Sequence, residues 1–191
     1  MHILRKHIEK TVSITDEEFT IVQSLFHPLS FKKKDYIIEK NKRVEYAFFI
    51  ISGLVKLSYW DDEAKEHIVS FAMEDWWETD FQAYFTESNA TFFLQCIENT
   101  ETLCLSIKDY RELCSKIPKM QHFFLEKSIA GHIAAQNRII SLLTLSAKDR
   151  YEQCLRLYPS LFQRVPKALL ASYLGVSRET LSRLFVASKR K

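Results

Sequence analysis

Only three of the 191 residues are glycine, and Gly53, Gly131 and Gly175 stand far apart. Average usage would supply roughly 13. Nucleotide-binding loops of the P-loop or Rossmann kind need clustered glycines, because only a backbone without side chains closes tightly on a phosphate. The chain can hold neither loop, and it is neither collagenous nor low in complexity. With 47% hydrophobic and 27% charged residues it has the balance of a packed globular protein. Its length admits one large domain or two small ones.

Several other classes fall away quickly. No apolar run approaches the roughly 18 residues of a membrane span, and residues 1–20 lack a signal-peptide core. This predicts a cytoplasmic protein with no membrane partner. Cys96, Cys104, Cys114 and Cys154 form no C-x-x-C pair, and the histidines form neither H-x-x-x-H nor H-E-x-x-H. Buried reduced thiols, no metal and no cofactor are expected. No nucleophile–base pairing or phosphate loop is visible, so the chain does not read as an enzyme.

The formal net charge of +3 conceals a gradient. From Arg150 to Lys191 nine lysines and arginines face two glutamates, whereas residues 1–149 carry 18 basic and 22 acidic side chains. Between Trp60 and Leu103 eleven acids stand against Lys65 alone. A basic end on an acidic body suits a polyanionic partner. A merely solvated tail would have the same count, so the pattern inside the tail has to decide.

Thr15 and Glu18 form a capping box, and Phe19, Val22, Leu25 and Phe26 follow at helical spacing. From Leu29 to Ile107 short runs rich in Ile, Val, Phe and Tyr take over: 36–38, 46–51, 54–59, 67–71, 91–97 and 100–106. They predict a compact antiparallel barrel or sandwich, with Ser52-Gly53 as a hairpin turn and a short helix or ordered loop over 76–85. After Ser106 the texture is helical. Ser106 and Asp109 cap one helix, Pro118 suits the first turn of a long one to about Leu145, and Ser146 with Asp149 marks a hinge. On the long helix Ile129, Ile133, Gln136, Ile140 and Leu143 alternate in steps of four and three, the heptad seam of a symmetric dimer. The same spacing fits a single helix lying on its own domain. The expected division is a β domain over 1–118, a dimerisation helix over 119–145 and a DNA-binding domain over 146–191.

Residues 167–184 carry the functional pattern. Ala171 is small where two helices cross, Gly175 supplies a positive φ for a tight turn, and Ser177 is a ready N-cap. Leu170, Leu174, Val176, Leu181 and Leu184 hold the helices together, which leaves Arg178, Glu179, Ser182 and Arg183 facing outward. Arginine donates two bonds to a guanine edge and glutamate accepts from cytosine N4. Thr180 and Ser182 suit phosphates or nearby base edges, and Lys189 and Arg190 suit phosphates.

The order of strands, long helix and helix-turn-helix resembles the Crp/Fnr family of bacterial regulators, typified by the cyclic AMP receptor protein. The resemblance covers nearly the whole chain and is most specific over Ile50–Leu57 and Ala171–Arg183. Arg178, Glu179 and Arg183 match the Arg-Glu-Arg trio of the family's recognition helix. The resemblance implies an α+β fold with a β-roll or jelly-roll of the cyclic-nucleotide-binding kind. It also implies a homodimer on a palindromic operator in double-stranded DNA with a G·C-rich element, and RNA polymerase as a candidate partner.

The departures concern the sensor. The family's pocket carries a Gly-Glu pair and an Arg-Ser/Thr-Ala step that grips the phosphate. The corresponding stretches here are 71–77 and 89–92, without that arginine and within the most acidic part of the chain. Cyclic AMP binding in the usual manner is therefore not expected. The family's glycines at turns near Lys34 and Asn41 are also replaced. Trp76 and Trp77, with Phe81, Tyr84 and Phe85, read first as core aromatics. An effector pocket, if formed, would draw on Glu74, Trp76, Trp77, Phe81, Asn89 and Thr91 and suit a neutral or apolar molecule.

Overall fold

The computed structural model describes residues 2–188. Two helices open the chain, α1 (His2–Glu9) and α2 (Asp16–Leu25). The Glu18 amide donates to Thr15 Oγ1 at 3.2 Å and the Thr15 amide to the Glu18 carboxylate at 2.8 Å, the reciprocal capping box expected for α2. The sequence reading did not anticipate α1, which has no such signature. Its Leu4 and Ile8, one turn apart, are fully buried, so tertiary packing supports it.

Eight strands follow: β1 (His27–Phe31), β2 (Tyr36–Ile38), β3 (Tyr46–Ser52), β4 (Val55–Trp60), β5 (Glu66–Ala72), β6 (Trp77–Glu78), β7 (Phe93–Cys96) and β8 (Thr100–Ser106), with α3 (Phe81–Thr86) between β6 and β7. They form two four-stranded sheets, ordered β1-β8-β3-β6 and β2-β7-β4-β5. Alternation along β3 sends Phe49 into a cluster with α1, α2 and Phe123, and Phe48 and Ile50 into a second cluster with Val55, Leu57 and Leu94.

One expectation is overturned here. Ser52-Gly53 is not a hairpin turn, because β3 pairs with β8 in the first sheet and β4 with β7 in the second. It is the corner where the chain changes sheets. Gly53 has φ +103°, and a Cβ there would lie 2.5 Å from the Asn99 carbonyl oxygen. Two apolar runs joined by Ser-Gly look alike in either arrangement, and the long-range pairing decides. At other left-handed positions the chain tolerates side chains, with Lys34 at φ 79° and Asn41 at φ 66°. Their amides are fixed by the Cys96 and Ala90 carbonyls, both at 2.8 Å.

The remainder is helical: α4 (Ile107–Lys116), α5 (Lys119–Thr144), α6 (Ala147–Leu157), α7 (Leu161–Arg164), α8 (Lys167–Leu174) and α9 (Arg178–Ser188). The Asp109 and Asp149 amides donate to Ser106 and Ser146, as the capping pattern predicts. The chain divides into two compact units. One runs to Tyr59 and resumes over Ser70–Ile129, and the other joins Trp60–Val69 to the chain from Ala130 onward. The tip of the β4–β5 hairpin therefore belongs with the C-terminal helices. In that unit the rings of Tyr151, Phe162 and Phe185 pack with centroids 5.2–5.8 Å apart, beside buried Leu170, Leu174 and Leu181.

Candidate nucleic-acid interface

Helix α8 ends in a Schellman arrangement. The Val176 amide donates to the Ala171 carbonyl at 3.0 Å and the Gly175 amide to Ser172 at 3.1 Å, with Gly175 left-handed at φ 64°. The carbonyls left over at this turn are taken by Arg150 of α6. Its Nε donates to Leu174 at 2.8 Å and its Nη2 to Gly175 at 3.3 Å, while Nη1 reaches Leu145 at the end of α5, 2.7 Å away. Ser177 then starts α9 by accepting from the Thr180 amide at 3.2 Å.

On α9 the sequence period sorts the side chains. Leu181 is fully buried, and Leu184 and Phe185 are half-buried on the same side. Arg178, Glu179, Ser182 and Arg183 are exposed and span an arc of about 140° on the other side. Thr180 is half-buried at the edge of that arc, where Arg183 Nη2 donates to its hydroxyl at 3.3 Å. The Glu179 carboxyl is held below its usual range, chiefly by the backbone amide at the helix start and then by Ser177. It is an ionised acceptor beside two arginines, and it offers a match for a donor on a base edge, which a simple basic patch lacks. Lys189 and Arg190 lie outside the described residues.

The seam positions of α5 share one exposed face. Ile129, Ile133, Ile140 and Leu143 are 43%, 50%, 57% and 78% exposed, far above the norm for aliphatic side chains, and Gln136 is exposed among them. Among the described residues, nothing beyond the adjoining residues and the helix's own backbone lies within 4 Å of where a Cβ on Gly131 would sit.

The residues named for an effector pocket have different surroundings. Trp77 packs inward against Phe26, Phe49 and Phe124. Trp76 and Phe81 are 38% and 48% exposed. Glu74 accepts from the Gly53 amide at 2.9 Å, and Asn89 bridges to Arg43. Thr91 leads to a polar centre at Asp80, which sequence reasoning missed.

Asp80 is 2% exposed and caps α3 by accepting from the Ala83 amide at 3.1 Å. Its other oxygen accepts from the amides of Thr91 at 2.8 Å and Phe92 at 3.3 Å. Asp three residues before Ala83 was a legible cap, but the two later amides arrive only by tertiary closure. Two residues earlier, Glu78 is buried, accepts from Ser70 Oγ at 2.6 Å, and is pushed up to about 7 by desolvation. All four cysteines are free and buried, and burial pushes Cys104 and Cys154 up to about 11. Among the described residues no group of three or more His, Cys, Asp and Glu is placed to hold a metal ion. Nor, among the described residues, is any helix long and apolar enough to cross a membrane.

With this geometry in hand, residues 28–117 match the cyclic nucleotide-binding domain family. No curated protein sequence matches the chain. Solved structures do. FixK2 from Bradyrhizobium japonicum superposes with a TM-score of 0.71 at 13% identity, covering 85% of this chain and 83% of that one. The c-di-GMP responsive global regulator CLP of Xanthomonas campestris gives 0.72 at 14% identity and 92% of both chains. The Thermus thermophilus catabolite activator protein gives 0.58 at 21% identity, covering 93% and 85%. The chain thus shares the α+β fold of these Crp/Fnr regulators, with residues 28–117 similar to the cyclic nucleotide-binding domain family.

Proposed function

We propose that the protein is a homodimeric, sequence-specific DNA-binding transcription regulator that acts in the cytoplasm without enzymatic activity. Helix α8 and α9 act as a helix-turn-helix, with α9 in the major groove. The observation that carries this reading is the exposed arc of Arg178, Glu179, Ser182 and Arg183 on a helix whose opposite side is pinned by Leu181 and Phe185. Two guanidinium forks and an ionised acceptor within one and a half turns can distinguish base pairs, whereas a generic basic tail neutralises phosphates alike on any sequence. The exposed aliphatic seam of α5 supports pairing with a second copy, and two reader helices related by a twofold axis would read a palindrome. RNA polymerase is a further partner of such a regulator.

The β domain is read as a sensor that does not take cyclic AMP in the usual way. Supporting this, Asp80 of the chain itself occupies three backbone amides of the kind that would receive a ligand's anionic oxygens.

Mobility shift on a duplex selected from a random pool, against its scrambled version, tests the DNA reading. Preference that survives competitor DNA supports it, and equal affinity for both reduces the chain to a nonspecific nucleic-acid-binding module. Arg178→Ala should cost about 1–3 kcal/mol on the selected duplex and relax preference at one position. Calorimetry with cyclic AMP should show no micromolar binding.

A further inference from the structure

Arg138 of α5 is half-buried within the C-terminal unit. Its Nη2 donates to the Ile68 carbonyl at 3.0 Å and to the Tyr173 carbonyl at 2.9 Å. The guanidinium lies 3.8 Å from the centre of the Tyr173 ring. One residue earlier on α8, Ser172 Oγ donates to the Glu66 carbonyl at 3.0 Å. A single cation thus joins α5, the tip of the β4–β5 hairpin and α8.

Among the described residues no carboxylate pairs with this guanidinium, and desolvation lowers its affinity for the proton. Burying a charge without an opposite partner is a poor route to stability. What the arrangement supplies is direction. A planar fork between two carbonyls, with its face against a ring, fixes one orientation, which a lysine on its flexible stem does not reproduce. α8 is also the helix whose C-terminal turn leads directly into α9, so any rotation of α8 is passed to the exposed arc.

We infer that Arg138 is a positioning residue of the α8–α9 pair, setting the orientation of the recognition helix by locking Tyr173 to the hairpin strand at Ile68. Its functional consequence rests on the DNA-binding reading, whereas the bracket itself can be tested without DNA.

The experiment uses the full chain and two measurements. Hydrogen exchange is followed over residues 66–69 and 172–177, and affinity is measured for the selected duplex and its scrambled version. In Arg138→Met, both segments should exchange about ten-fold faster while α6 keeps its protection. Affinity for the selected duplex should fall about ten-fold with no change on the scrambled one. Arg138→Lys, which keeps the charge, should restore little of either.

Wild-type exchange in both segments overturns the inference. So does an equal loss on both duplexes, the mark of a lost phosphate-attracting charge. Should Arg138→Met fail to fold, Arg138→Lys decides, since it keeps the charge and removes the planar fork between the Ile68 and Tyr173 carbonyls. Faster exchange over 66–69 supports the bracket and unchanged exchange overturns it. If selection yields no preferred duplex, the DNA reading fails and the exchange measurement alone judges the bracket.

Discussion

Asp80 and Glu179 are both acids at the start of a helix, and the molecule uses them in opposite ways. Asp80 is buried and its oxygens are taken by the amides of Ala83, Thr91 and Phe92, so its bonding capacity is consumed within the β domain. Glu179 is exposed, kept ionised by the first turn of α9, and still has acceptor capacity to offer. The same contrast extends to their neighbours. Glu78 is buried against Ser70, whereas Arg178 and Arg183 face outward. A polar group satisfied internally contributes to the fold, and one left facing solvent on a rigid element is available to a partner. The distinction separates these two helix starts better than charge counts do, because both lie in highly charged stretches of the chain.

The comparison is broken most directly at Asp80. Asp80→Ala removes a helix cap and leaves the Thr91 and Phe92 amides, whose bonds to it are part-buried, without that acceptor. It should destabilise the protein by about 4 kcal/mol, as the sum of a lost cap and stranded donors. Urea unfolding measures this, and a loss below about 1 kcal/mol would mean that the three amides find other partners. Asp80→Asn, which keeps one acceptor oxygen, should fall between.

Glu78 sharpens the contrast through pH. Its folded pKa, raised to about 7, lies above the ordinary 4.5. The fold therefore prefers the protonated form. Its contribution is complete below pH 4.5 and is lost as pH rises through 7. Wild-type stability should decline between pH 5 and 8 by at most about 3 kcal/mol from this group. Glu78→Gln should flatten that slope and be the more stable form at pH 8. Parallel stability curves for the two proteins would show that Glu78 does not titrate in this window.

Legibility in the sequence divides along the same line. The α9 face was readable because a cap, a turn glycine and a helical period are local, and Ser177, Gly175 and Leu181 occupy the positions that the pattern assigns. Strands β2 and β8 were readable to the residue for the same reason. What closed over long separations was not. Ser52-Gly53 looked like a hairpin until β3 was seen to pair with β8, and Asp80 meets Thr91 and Phe92 eleven and twelve residues on. Arg138 is the extreme case. Its partners, Ile68 and Tyr173, are 70 and 35 positions away, and both hydrogen bonds go to carbonyls that any residue would have provided, the Tyr173 ring being the one contact that depends on residue type. No composition or spacing rule can mark such a residue.

The smaller effects lie on the recognition helix, and there stability and binding should separate. Ser177→Ala removes the acceptor for the Thr180 amide, a loss of about 1 kcal/mol in unfolding. Because the cap also fixes where α9 begins, the selected duplex should lose affinity too, and a variant with lowered stability but unchanged binding would show that the helix start is set by Gly175 and Arg150 instead. Glu179→Ala goes to the end of the scale. Its carboxylate is exposed and supports only its own first turn, so the melting curve should barely move. Preference at one base pair should nevertheless relax, about ten-fold, because an acceptor facing the groove is lost while the phosphate contacts remain. Selecting duplexes with the variant measures this. A consensus identical to that of wild type would place Glu179 among the groups satisfied internally, on the same side of the comparison as Asp80.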